Sequence, residues 1–179
     1  LSGLAGLLMA ARFAGGRPEV GIGIQDRGAL FNLDPEHPNA LEPGKRPFHT
    51  IIPAFMGWNG TPDTAFGLMG GGMQPQGHVQ IVVNLVDFGM NYQEAGDAPR
   101  FYHTGSSQPT GTMMTSGGVL HLEKGLPPEV YRDLAKRGHL IEETNPVAFG
   151  GYQLIHRDPE TGVLAGATES RKDGMAAGY

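Results

Sequence analysis

Cysteine is absent from the 179 residues, which removes disulfides, thiolate metal sites and a thiol nucleophile from consideration. The compartment stays open, because exported and cytosolic chains alike can lack cysteine. Long apolar runs are missing too. The most apolar stretch, Leu1 to Ala11, is far short of the ~20 residues a membrane-crossing helix needs, so no membrane span is expected. Positive charge is scarce: 13 Lys and Arg stand against 18 Asp and Glu, a formal net charge of −5, and the basic residues are scattered rather than striped. Nucleic acid and other polyanions are therefore not expected as partners. With no repeating tract and 39% hydrophobic residues, collagen and plain disorder are both excluded.

Glycine and proline are plentiful, at 29 and 14 residues, close to the level of low complexity. Yet 39% of the chain is hydrophobic, enough for one folded domain of this length with a real core. Leu4, Leu7, Leu8 and Ala11 fall at helical spacing, and Gly21 to Ile24 reads as a short strand. Asp34 to Pro47 carries too many prolines for any regular element and reads as a long loop. Ile51–Phe55 and Ala65–Met69 read as strands joined through Asn59-Gly60, a dipeptide that tolerates the positive φ of a tight hairpin. Beyond Gly70-Gly71-Gly72, Val79, Val82, Val83 and Val86 share a helical face with Ile81, Leu85 and Phe88 beside them, which predicts a deeply buried helix. Asn91 followed by Glu94 is a capping box for a short helix that Pro99 must stop. Phe101 to His103 reads as extended. Pro127-Pro128, Val130, Tyr131, Leu134 and Gly138 mark a surface helix with both ends signalled. Tyr152–His156 and Val163–Ala165 flank Asp158-Pro159-Glu160-Thr161-Gly162 as a second hairpin. Strands and helices mix without strict alternation, which favours a layered α+β fold.

The passage from strand through three glycines into a helix is the most informative local feature. Glycines let backbone N–H groups converge, and a helix N-terminus adds partial positive charge. Such a nest can hold an oxyanion or a phosphate. The segment Gly70-Gly71-Gly72-Met73-Gln74-Pro75-Gln76 lacks both the Walker ending and the GxGxxG spacing, so phosphate is the weaker option. The competing reading is a turn whose glycines only permit close helix packing. Seven histidines show no ligand spacing and there is no GxSxG elbow, so no metal and no cofactor are implied. Glu142 and Glu143 are adjacent, point apart, and read as solvated surface.

Taken together, several segments resemble the small subunit of the gamma-glutamyltransferase family. They are Phe31-Asn32-Leu33-Asp34-Pro35 with His37-Pro38-Asn39, then Pro43-Gly44-Lys45-Arg46-Pro47 with Thr50 and Pro53, then Gly70-Gly71 with Gln74-Pro75-Gln76-Gly77. The match continues through Asp87-Phe88-Gly89-Met90, Asp97-Ala98-Pro99-Arg100-Phe101 and the ending Arg171 to Tyr179. It covers residues 21–179 in order, leaving 1–20 as a segment without a family match. The resemblance implies an N-terminal-nucleophile (Ntn) hydrolase with a four-layer αββα fold, made as a precursor that cuts itself into large and small subunits. The exposed Thr attacks γ-glutamyl amides such as glutathione and passes the acyl group to water or an amino acid, so the implied partners are the large subunit of an αβ heterodimer and a small-molecule amide.

By resemblance, Gly70 and Gly71 supply or frame the oxyanion hole, and His49 and Thr50 stand where typical members carry two serines on the substrate carboxylate. Thr50 keeps a hydroxyl; His49 does not. Leu30 stands where glutathione-using members have an acidic residue for the substrate α-amino group, so γ-glutamyl specificity is not expected. Gln25-Asp26-Arg27-Gly28 is closer to the acylase-like branch. The chain begins Leu1-Ser2 and residues 1–20 hold no counterpart of the nucleophile segment, so the Thr is expected outside this sequence. The alternative is a non-catalytic remnant or binding domain that keeps the scaffold.

Overall fold

A computed structural model describes residues 27–107, 113–144 and 146–178. The helix read in the first eleven residues and the strand at Gly21–Ile24 lie outside that range. The chain divides into two units, Leu1–Ile51 and Ile52–Tyr179. Among the described residues of the first, a 3₁₀ turn at Gly28–Leu30 leads into the proline-rich loop, which is closed by a bridge between Asn32 and Ala40. Ala40 is buried there, and Asn32 and Asp34 side chains accept from the amides two residues on, as Asx turns do.

The second unit holds a sheet of order β1-β2-β6-β7, antiparallel throughout, made of β1 (Ala54–Trp58), β2 (Thr61–Met69), β6 (Gly151–Arg157) and β7 (Leu164–Thr168). Both predicted hairpins are present. Asn59 and Gly60 have φ of 51° and 81°, the left-handed pair that a two-residue turn requires. The strand bounds differ from expectation. β1 starts only after Pro53, which has no N–H for the ladder, and β2 starts at Thr61 because Pro62 falls opposite the irregularity at Gly57, before β2 meets β6 at Thr64.

One face of this sheet is covered by α1 (Met73–Val86) and α2 (Tyr92–Asp97). Phe66, Leu68, Tyr152, Leu154 and Ala167 from the sheet close over Met73 and Ile81 of α1 and over Phe149. Met73, Gly77 and Ile81 form the buried row of α1, and a Cβ on Gly77 would come within 2.6 Å of Leu68. The deep burial expected of α1 is corrected here: Val79, Val86 and Phe88 are 63%, 57% and 69% exposed. The helix is apolar around most of its circumference, and the sheet covers one row of it. The capping box of α2 is complete, Asn91 accepting from Gln93 and Glu94 at 3.0 and 2.9 Å while Glu94 accepts from the Asn91 amide at 2.9 Å.

A second sheet runs β3 (Phe101–Thr104), β4 (Val119–Leu122) and β5 (Ile141–Glu143). β4 and β5 are parallel, which obliges a crossover, and α3 (Pro128–Lys136) supplies it with the signalled Pro start and Gly138 at φ 93° after its end. Glu142 and Glu143 diverge, toward His121 at 3.7 Å and Lys124 at 3.3 Å.

Candidate functional site

β2 ends where φ turns positive, at Gly70 (144°) and Gly71 (60°), and Gly72 at φ −65° opens α1 without any capping side chain. The two left-handed glycines are required for different reasons. A Cβ on Gly70 would lie 3.0 Å from Cα of Gly150, so that position is a close backbone approach. A Cβ on Gly71 would meet nothing within 4 Å. Packing therefore accounts for Gly70 and leaves Gly71 explained by its backbone angle alone.

The amide of Met73 donates to Gly70 O and that of Gln74 to Gly71 O, both at 3.1 Å. The amides of Gly70, Gly71 and Gly72 donate to no acceptor among the described residues. A left-handed φ at Gly71 followed by a right-handed Gly72 is the kind of backbone that forms anion-binding concavities of successive N–H groups, and the uncapped end of a 14-residue helix adds its dipole. The arrangement can stabilise negative charge on a single oxygen.

Gly150 is held by a buried charge cluster that sequence reasoning did not foresee. Arg100, 1% exposed, donates to Phe149 O and Gly96 O at 2.7 Å each and lies 3.6 Å from Glu169. Arg171 grips Glu123 with two bonds of 2.6 Å, reaches Glu169 at 3.1 Å, and donates to the carbonyls of Gly96 and Ala98 at 2.8 and 2.9 Å. Two guanidiniums thus satisfy the terminal carbonyls of α2 while two carboxylates balance them. Burial, with Arg171 adding repulsion, lowers the Arg100 pKa to about 10. Burial would lower Arg171 as well, but its bonds to Glu123 and Glu169 outweigh that and raise it. Because Arg100 fixes Phe149 O, the cluster also fixes the neighbouring Gly150 against which Gly70 packs. The only trace in the sequence is the quoted Asp97–Phe101 and Arg171–Tyr179 segments.

The other predicted site residues belong to the first unit. Leu30 is 40% exposed and its carbonyl accepts from Asn39 Nδ2 at 2.8 Å; His49 is exposed and Thr50 half-buried. Gly70 and Gly71 are brought together in the second unit. Among the described residues no three His, Asp or Glu side chains converge as a metal site. The sheet histidines clamp neighbours instead: His121 bonds Thr104 and Thr144 at 2.9 and 2.8 Å, and His156 bonds Thr64 at 2.8 Å. A cavity of about 350 Å³ lies against β3 and β4, lined by His103, Leu120 and His139 among others, and does not include Gly70, Gly71 or Gly72. No described helix is long and apolar enough to cross a membrane.

By its likeness to solved structures this α+β unit is part of an Ntn hydrolase. The chain belongs to the gamma-glutamyltranspeptidase family, whose model matches residues 16–179. It is 38% identical over 164 residues to an oxamate amidohydrolase proenzyme of Klebsiella pneumoniae, covering 90% of this chain and 30% of that protein. It is 34% identical over 165 residues to a glutathione hydrolase-like proenzyme of Bacillus subtilis, covering 89% and 30%. Among solved structures, cephalosporin acylase from Bacillus halodurans superposes with a TM-score of 0.69 at 47% identity, covering 89% of this chain and 28% of that one. The chain thus spans about 30% of the length of the curated relatives and corresponds to their C-terminal part.

Proposed function

We propose that this chain is the small-subunit part of an amide-cleaving acyl transferase or hydrolase, joined to a large subunit from the same precursor as an αβ heterodimer. Residues 21–179, within the 16–179 that the family model matches, form the small-subunit domain, and a Thr nucleophile lies outside this sequence. The observation that carries the reading is the trio of amides at Gly70, Gly71 and Gly72 that donate to no acceptor among the described residues. In this role Gly70 and Gly71 stabilise the tetrahedral oxyanion, an interaction whose loss typically costs 10²–10³ in rate. The nucleophile's own α-amine takes its proton and returns it to the leaving amine.

The acyl group is one without an α-ammonium. Leu30 offers no charge to such a group, and its desolvation would go uncompensated, whereas an acidic partner would contribute roughly 1.5 to 3 kcal/mol. Thr50 supplies a hydroxyl to the acyl carboxylate beside His49. Of the relatives, the oxamate amidohydrolase is named for an amide without an α-ammonium, which supports this reading, whereas the glutathione hydrolase-like proenzyme is named for a γ-glutamyl amide.

The test uses the full-length protein with its upstream region and matched γ-glutamyl and glutaryl anilides. Glutaryl anilide is the better substrate, and Leu30→Asp shifts the kcat/KM ratio toward γ-glutamyl by about ten- to a hundredfold. A wild-type preference for γ-glutamyl that Asp leaves unmoved removes Leu30 from the acyl pocket. Absence of turnover on every amide makes the protein a non-catalytic remnant of the scaffold.

A further inference from the structure

We propose that the hydroxyl of Tyr102 is a further polar group of the glycine nest and donates a hydrogen bond to the substrate carbonyl oxygen as it becomes an oxyanion. The proposal rests on the reading of Gly70 and Gly71 just given. Tyr102 is the second residue of β3, its ring half-buried against the core of the large sheet and 5.9 Å from the imidazole of its cross-strand partner His121. The phenol oxygen ends at the mouth of α1, 3.0 Å from where a Cβ on Gly72 would stand. Any side chain at position 72 would meet it. No hydrogen bond to this oxygen occurs among the described residues, whereas Tyr131 and Tyr152 each donate to a backbone carbonyl at 3.1 Å. The amides of Gly70, Gly71 and Gly72 in the turn beside it likewise meet no acceptor among the described residues, and since amides are donors, the occupant that they and the hydroxyl can share is an acceptor oxygen.

The strand under Tyr102 is clamped on both sides of it. Gln80 of α1 accepts from the Phe101 amide and donates to its carbonyl, both at 2.9 Å. Gln76, one turn earlier, does the same to His103 at 2.8 and 3.0 Å. Two glutamines four residues apart thus imitate a neighbouring strand and lock β3 in register with the first turns of the nest helix. The phenol is held at a fixed place relative to the amides, which is the preorganisation that oxyanion stabilisation requires. During acyl transfer the nucleophile oxygen bonds to the carbonyl carbon and the π pair moves onto the carbonyl oxygen. Tyr102 shares its proton with that oxygen without losing it, and the pair returns as the amine leaves.

Tyr102→Phe in the full-length protein deletes only the hydroxyl. With glutaryl anilide, kcat falls about ten- to a hundredfold with KM nearly unchanged, and the thermal midpoint stays at the wild-type value. Affinity for an alkyl boronate, which binds as a tetrahedral anion, falls by a similar factor, while affinity for the carboxylic acid product does not. Tyr131→Phe, on the outer helix, leaves kcat within about twofold. Wild-type kcat and boronate affinity in Tyr102→Phe overturn the proposal, as does a change confined to KM. A wild-type protein without amide turnover overturns the functional reading itself, and this proposal with it; an active wild type with an unaffected Tyr102→Phe overturns this proposal alone.

Discussion

Glycines that look alike in the sequence do different work in the structure. Gly77 exists for packing: the added methyl of Gly77→Ala would stand 2.6 Å from Leu68, inside the core row of α1. Overpacking of this kind costs about 1–3 kcal/mol, so this variant should unfold at lower temperature while its folded fraction keeps wild-type kcat. Gly71→Ala meets no atom, but its φ of 60° places a Cβ in the left-handed region at a cost of about 1–2 kcal/mol. Relieving that strain rotates the amide out of the nest. Gly71→Ala should therefore lose at least about tenfold in kcat on any amide while staying folded by circular dichroism. Equal thermal losses with equal retention of kcat in the two variants would remove the distinction between packing and nest glycine.

Elements written in short-range signals were legible before the structure. The Asn59-Gly60 hairpin, the Asn91 capping box, the Pro-started α3 and the tail hairpin each depend on residues within a few positions of one another. Elements joined by distant partners were not. The glutamine clamp spans 21 and 27 residues, and the pairing of Arg171 with Glu123 spans 48, separations at which no local periodicity speaks. α1 misled for a related reason: its valines signal an apolar surface without saying what covers it. The charge cluster at the end of α2 makes two energetic predictions. Arg171→Met leaves Glu123 without a guanidinium and Glu169 with Arg100 alone, at 3.6 Å, and should cost about 3–5 kcal/mol in denaturant unfolding; a loss below about 1 kcal/mol would make the cluster ornamental. Asp97 accepts from Ser170 N at 2.9 Å and Gln93 Nε2 at 2.7 Å. Burial alone would raise its pKa, but these bonds and Arg171 bring it below 3.8. Its stabilising contribution is thus complete above about pH 4 and is lost as pH falls through the lower folded value. Asp97→Asn should flatten the acid limb of stability below pH 4 and leave the slope near pH 7 alone.

The large sheet is two-faced, and only one face is closed by the described helices. Register places Phe55, Ala65, Ile155 and Gly166 in one row across the strands, on the side opposite Phe66 and Leu154. Phe55 is 74% exposed, Ile155 57% and Met69 49%. An apolar sheet face is stable when another layer lies on it, and in a four-layer αββα fold that layer is a second sheet. The proenzyme relatives are more than three times as long as the matched segment, so the remaining length is ample to supply it. Residues 1–179 alone should then self-associate through this face, as exposed apolar patches do. Light scattering should show mass rising with concentration, and the double variant Phe55→Ser with Ile155→Thr should reduce it without lowering the thermal midpoint. In the full-length protein the same two substitutions should instead destabilise, because there the face is interior and each truncation removes buried contact, worth about 2–5 kcal/mol for residues of this size. That reversal of sign separates a covered face from a merely sticky one. A monomeric short chain, or a full-length protein indifferent to both substitutions, would leave the second sheet without its seat.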